Sequence, residues 1–245
     1  MNQESTDFLK KVIAHYDLPG EIISATQCVN GHINGTYHVT LLKTGGKEDN
    51  LIVQKINHYV FKDPEKVMHN IKEVGNHVRG RKSDTDCAII SFLNNKVGKN
   101  YTEIDGEYWR ISRFVEDSVT YDFVENSTVL YSAGYAFGRF QSLLSDLPME
   151  KLYETIPDFH NTRKRLNYFF EMVDLDPMGR AKDLKNEIAF FKNHTSLATK
   201  LCDMLDAGKI PLRVTHNDTK YNNILMHKDT CKPLVMPSDL LLIQL

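Results

Sequence analysis

Residues 214–226, VTHNDTKYNNILM, set one acid, one lysine and three asparagines between two apolar runs. The internal spacing is His216-x-Asp218-x-Lys220-x-x-Asn223. Those residue types suit phosphoryl transfer. A carboxylate such as Asp218 orients an attacking hydroxyl and accepts its proton, while Lys220 offsets charge on the moving phosphoryl group. The side-chain oxygen of Asn223 is a ligand for a divalent metal carried by a nucleotide. An acid and an asparagine five residues apart on a short loop can face one point. The competing reading is an Asx-rich turn whose side chains bond their own backbone. A bare His-x-Asp would favour that turn. Lys220 and Asn223 in register, directly after an apolar strand, favour chemistry.

Such a site needs partners that hold phosphates. VNGHINGTYHV, with Gly31, His32, Asn34 and Gly35, is a glycine-bracketed turn between two strands. Glycine lets a backbone approach phosphates closely, and exposed amides there make an anion-binding nest. A plain hairpin would look the same. LIVQKIN at 51–57 reads as a third strand offering Gln54 and Lys55 to opposite faces of a sheet. A kinase-like lobe would aim a third-strand lysine at the phosphates, whereas the bland alternative leaves Lys55 on a solvated face. In WRISRFVED the backbone from Phe114 to Glu116 could pair with an adenine ring. The rings of Trp109 and Phe114 read as core. The protein-kinase catalytic loop has the Asp-to-Asn spacing seen here between Asp218 and Asn223.

The elements that would position these residues follow from periodicity. Residues 4–17 carry Phe8, Leu9, Val12 and Ile13 at helical spacing, and LPG at 18–20 stops that helix. EIISATQCVN, TYHVTLLK and LIVQKIN are β-rich runs, the last two joined through TGGKEDN. PEKVMHNIKEVGNHVR at 64–79 is a helix opened by Asp63-Pro64 in the N-cap and N1 positions. CAIISFL and EYWRISRFVE are further strands, the second entered through an Asp105-Gly106 turn. After Glu116 helices dominate. They are predicted over 126–146, capped by Asn126 or Ser127, and over 158–174 and 183–208, the last closed by Gly208. Ala133, Gly134, Ala136 and Gly138 would allow close packing. IPLRVTHND then returns as a short buried strand. A β-rich lobe over 1–116 is therefore followed by a helical lobe over 117–245.

Bulk properties exclude other classes. Lys+Arg of 30 against Asp+Glu of 32 and a net charge of −2 show no nucleic-acid footprint. No apolar run reaches the roughly 20 residues that span a bilayer, and the N-terminus lacks a signal-type core. The cysteines Cys28, Cys87, Cys202 and Cys231 are scattered, which fits free thiols in a reducing cytoplasm.

Taken in order, GHINGTY (31–37), LIVQKIN (51–57), WRISRFVED (109–117), AGYAFGRFQSLL (133–144) and IPLRVTHNDTKYNNILM (210–226) resemble the aminoglycoside phosphotransferase and choline kinase superfamily. They look most like its bacterial N-acetylhexosamine 1-kinases. The resemblance implies an α+β, two-lobe protein-kinase-like fold with a five-stranded N-lobe and an incomplete helical C-lobe. It implies ATP and Mg²⁺ as cofactors, a cytoplasmic location and an amino-sugar substrate, with no nucleic-acid or membrane partner. Asp218 would be the catalytic base, assisted by Lys220, Asn223 a magnesium ligand, and the turn around His32 and Asn34 the nucleotide loop. The reaction would phosphorylate the anomeric hydroxyl of GlcNAc or GalNAc. Choline, homoserine or an aminoglycoside is the alternative acceptor, and a degenerate nucleotide-binding fragment the alternative class.

The chain departs from the family pattern in two places. Gln54 stands where many relatives have a phosphate-binding lysine. Beyond the catalytic loop, relatives place an aspartate on a return strand as second metal ligand, whereas KDTCKPL here runs straight into VMPSDLLLIQL, as though the chain were truncated. Asp239 is the remaining carboxylate that could replace it. Pro237 before it argues against a strand, so Asp239 is expected not to bind metal and the tail from Val235 to be poorly anchored.

Overall fold

The computed structural model describes residues 3–28, 34–81, 88–124, 126–236 and 241–244. α1 (Gln3–Ala14) turns Leu9, Val12 and Ile13 to one side. β1 (Glu21–Cys28), β2 (Gly35–Leu42) and β3 (Glu48–Ile56) follow as an antiparallel meander. α2 spans Pro64–Arg79, as the sequence predicts, because Asp63 caps it: its Oδ1 accepts the Lys66 N–H at 3.1 Å. Next come β4 (Ala88–Ile89), β5 (Thr102–Ile104), β6 (Glu107–Arg113) and β7 (Ser118–Val119). The β5–β6 hairpin turns through Asp105 (φ 54°) and Gly106 (φ 78°), both in the left-handed region that a two-residue I′ turn requires.

The first sheet has the order β1-β2-β3-β6-β5. Strand alternation decides its faces. Val39, Leu41, Leu51, Val53, Trp109 and Ile111 point to α1 and form one core with Leu9, Val12, Ile13 and Tyr16. The opposite face looks toward α2, where Ile56, Val67, Met68, Ile71 and Tyr101 cluster with Phe61.

The rest of the chain contains α3 (Ser127–Leu143), α4 (Thr162–Leu175), α5 (Lys185–Asn193) and α6 (Thr195–Asp206). β8 (Arg213–His216), β9 (Leu225–His227), β10 (Pro233–Met236) and β11 (Leu241–Gln244) complete it. Asn126 caps α3, its Oδ1 accepting the Val129 N–H at 3.0 Å. A second sheet runs β4-β10-β9-β7, and β11 pairs antiparallel with β8. Its core joins Val129, Ala133, Ala136 and Phe140 of α3 to Val214, Ile224 and Met226 around the polar loop. Val74 and Val78 of α2 belong to this same cluster. One helix thus packs on both cores.

Four expectations change. CAIISFL yields the short β4, which pairs with β10 of the second sheet, and a single bridge from Phe92 to Ser112 of β6, while the fifth strand of the first sheet is Thr102–Ile104. The predicted helix over 183–208 breaks at His194 into α5 and α6. There Nδ1 of His194 donates to the Phe190 carbonyl (2.7 Å) and Thr195 Oγ1 donates to that of Lys192 (3.0 Å), side-chain bonds that compete with the helical ladder. On α3, Ala133 and Ala136 are buried, but a Cβ on Gly134 or Gly138 would meet nothing within 4 Å. Among the described residues those glycines mediate no close approach. Finally, Val235 and Met236 are held, not loose: β10 pairs with both β9 and β4, and Met236 is 2% exposed. Asp239 lies outside the described residues.

Candidate active site

Two buried anchors hold the polar loop. His216 ends β8 with its ring edge-on to Phe137 and Phe140 of α3, centroids 5.5 and 5.7 Å away. Its Nδ1 accepts the backbone N–H of Asp218 at 3.3 Å. His160 Nε2 donates to the Asn217 carbonyl at 3.0 Å. At the other end Ile224 is fully buried, and Asn222 donates to Asp122 at 3.1 Å. Between the anchors a single 3-10 turn, Tyr221–Asn223, folds the chain back.

That turn brings Asp218, Lys220 and Asn223 together. Asn223 Nδ2 donates to the Asp218 carboxylate (Oδ2, 2.8 Å) and to its backbone carbonyl (2.7 Å). Lys220 Nζ lies 3.3 Å from the same Oδ2. Because both groups facing Asn223 are acceptors, its nitrogen must be the atom that meets them, and its oxygen is turned away. That oxygen receives no hydrogen bond among the described residues. The loop's Asx bonding is real, and it leaves a hard oxygen donor beside a carboxylate.

On the first sheet three cross-strand rows face α2. They are Thr36–Gln54–Arg110, His38–Ile52–Ser112, and Thr40–Asn50 continued by Phe114. Gln54 is therefore the member of the Gln54/Lys55 pair on this face. Lys55 points the other way, on the row of Gly35 and Trp109, and pairs with Glu107 at 2.8 Å. The backbone N–H of Phe114 is already donated to the Asn50 carbonyl (2.9 Å), and its ring lies 4.6 Å from that of His38. Glu116 accepts from Asn50 Nδ2 at 3.1 Å. Asn34 is fixed through its Oδ1, which accepts the Asn57 N–H at 2.9 Å. Gly31 and His32 lie outside the described residues.

Sequence reading passed over three polar residues of this face. Arg110 is 1% exposed with its guanidinium on Gln54. His38 Nε2 and Ser112 Oγ are buried without a hydrogen-bond partner among the described residues. Unsatisfied buried polar atoms ask for a ligand or water. Asn223 Oδ1 is a single hard oxygen donor of the kind a divalent ion takes, and among the described residues no group of three or more His, Cys, Asp or Glu could hold a metal.

Electrostatics fasten the surroundings. Lys228 of the β9–β10 turn pairs with Asp117 at 2.6 Å, and its hydrogen bond and charge hold that carboxyl below the usual carboxylate range. Asp49, on β3, is paired with Lys43 at 2.7 Å and with Arg113. Burial pushes its carboxyl up, but hydrogen bonds and charges from Arg113 and Lys43 outweigh that and hold it low. Among the described residues no helix is long and apolar enough to cross a membrane.

The chain matches no protein-family profile. Solved structures do match. A spectinomycin phosphotransferase, APH(9)-Ia, in complex with ADP and spectinomycin, aligns at a TM-score of 0.53 and 15% identity over 97% of this chain and 71% of that one. An aminoglycoside phosphotransferase from Alicyclobacillus acidocaldarius aligns at 0.56 and 12% identity over 94% and 65%. The amicoumacin kinase hAmiN, in complex with AMP-PNP, Ca²⁺ and Ami, aligns at 0.58 and 13% identity over 98% and 64%. The chain spans 64–71% of the length of these structures. At such identities the likeness establishes the fold, a protein-kinase-like α+β arrangement.

Proposed function

We propose that the chain is a small-molecule phosphotransferase that moves a phosphoryl group from ATP to a hydroxyl, with an N-acetylhexosamine as acceptor and its anomeric hydroxyl as the site. The supporting observation is the Asp218–Asn223–Lys220 cluster, closed by bonds of 2.7–3.3 Å on a loop between buried anchors in a kinase-like fold. The phosphotransferases of the same fold carry the reaction class, and the sequence resemblance carries the amino sugar. Residues 1–116 form the nucleotide lobe in this reading, and 117–245 the lobe bearing the catalytic loop.

Asp218 orients the acceptor hydroxyl and takes its proton as the oxygen attacks the terminal phosphorus. Lys220, half exposed on the loop, offsets charge on the transferred group. Asn223 fixes the Asp218 carboxylate through its nitrogen and offers its oxygen to magnesium. Bound Mg²⁺ would supply charge neutralisation on the phosphates. The row His38–Ile52–Ser112, with the Phe114–Glu116 segment, receives the base, and Gln54 and the 31–35 turn face the phosphates.

Incubation with ATP, Mg²⁺ and a panel of GlcNAc, GalNAc, choline, homoserine and an aminoglycoside tests this directly. A sugar 1-phosphate is expected, with ADP released in equal amount. Transfer to another acceptor would keep the reaction and change the substrate. ATP bound without transfer to any of them would leave a nucleotide-binding module and overturn the proposal.

A further inference from the structure

In the reading above Gln54 takes the place of a phosphate-binding lysine, yet an amide has no charge and two interchangeable ends. The structure shows what fixes those ends. Arg110, directly across the β3–β6 ladder, donates through Nε (2.8 Å) and a terminal nitrogen (2.5 Å) to Gln54 Oε1. Its other terminal nitrogen lies 3.7 Å from Met68 Sδ on α2, and its plane sits 4.3 Å over the Phe92 ring. A guanidinium has donors only, so the oxygen of Gln54 must face it and the nitrogen must face away. That nitrogen donates to Thr36 Oγ1 at 2.9 Å, and Thr36 Oγ1 lies 3.4 Å from the Asn34 carbonyl as donor. Four residues thus form one directed chain, Arg110 to Gln54 to Thr36 to Asn34, ending on the Asn34 carbonyl. The second N–H of Gln54 has no acceptor among the described residues.

We infer that Arg110 is a positioning residue for the nucleotide site, holding Gln54 so that its amide donors face the phosphates and Thr36. The inference rests on the nucleotide-binding reading above. Burial of the charge behind Gln54 makes physical sense: a fork bond from a guanidinium is stronger than a neutral one and resists amide rotation. The donor that meets the ligand is then neutral and pre-oriented.

The test uses the full chain and three variants, with two readouts besides turnover: the Kd of a fluorescent ATP analogue, and hydrogen exchange of residues 34–40 without nucleotide. Arg110→Lys keeps the charge but not the fork, and Gln54→Glu keeps the acceptor but not the donor. Each is expected to weaken nucleotide binding by about tenfold, the equivalent of one charge-assisted hydrogen bond. Arg110→Lys should also speed exchange in the 34–40 segment. The double variant Arg110→Met with Gln54→Lys should regain affinity, because a lysine needs no fork to orient it. If Arg110 only fills space, Gln54→Lys restores nothing, and that result overturns the inference. Wild-type binding with unchanged affinity in Arg110→Lys and Gln54→Glu overturns it too. Unchanged exchange in nucleotide-free Arg110→Lys refutes it without reference to ATP. A wild-type chain that binds no nucleotide instead brings down the functional reading, and this inference with it.

Discussion

Asp218→Asn separates chemistry from folding, and its effect on each can be worked from the loop. The substituted amide can still present an oxygen to Asn223 Nδ2, so the 2.8 Å bond survives but becomes neutral, at a loss of about 1 kcal/mol. The bond from Asn223 to the backbone carbonyl at 2.7 Å is untouched. The ion pair with Lys220 disappears, but Lys220 is 53% exposed and the pair contributes less than about 0.5 kcal/mol. Stability should therefore fall by about 1 to 1.5 kcal/mol. Loss of a general base costs about 10²–10⁴ in turnover, or about 3 to 5 kcal/mol of barrier. The second effect exceeds the first, so the variant should be folded and inactive. Urea denaturation followed by fluorescence of the single tryptophan, Trp109, measures stability, and coupled ADP release measures turnover. Turnover within about threefold of wild type would refute the base assignment. A stability loss above about 3 kcal/mol would refute the bond accounting instead.

Ile224→Ala removes the fully buried anchor beside Asn223 and should cost about 2 to 5 kcal/mol in urea denaturation; a cost below about 1 kcal/mol would mean the loop is not held from that side. Asp49 has a depressed carboxyl in the folded state, so its stabilisation is present above the unfolded value of about 3.9 and is lost as pH falls through the lower folded value. Asp49→Asn should accordingly destabilise the protein at pH 7, and the gap to wild type should close in acid titrations below about pH 4; a gap independent of pH would contradict the pairing with Arg113 and Lys43. On α3, Gly134→Ala and Gly138→Ala meet empty space and should each stabilise by about 0.5 to 1 kcal/mol, seen as a rise in Tm. A fall would mean those glycines contact something outside the described residues.

Local chemistry was legible in the sequence. Asp63-Pro64 and the apolar spacing after it set α2, because a cap and a 3.6-residue period are properties of neighbouring residues. Asp105-Gly106 set the β5–β6 turn for the same reason. The spacing of Asp218, Lys220 and Asn223 sufficed to bring them together, since one short turn spans them. Other features depend on which distant strand lies alongside. Ala88–Ile89 joined the second sheet through β10, a pairing across more than a hundred residues that no local pattern encodes. Alternation alone put Gln54 and Lys55 on opposite faces. The register of β3 against β6, with α1 covering one side and α2 the other, decided that Gln54 takes the inner row and meets Arg110. Arg110 carried no signal in the chain, where it reads as one more charge on a strand. Only the packed sheet, by burying it beside an amide with a single acceptor, paired it with Gln54.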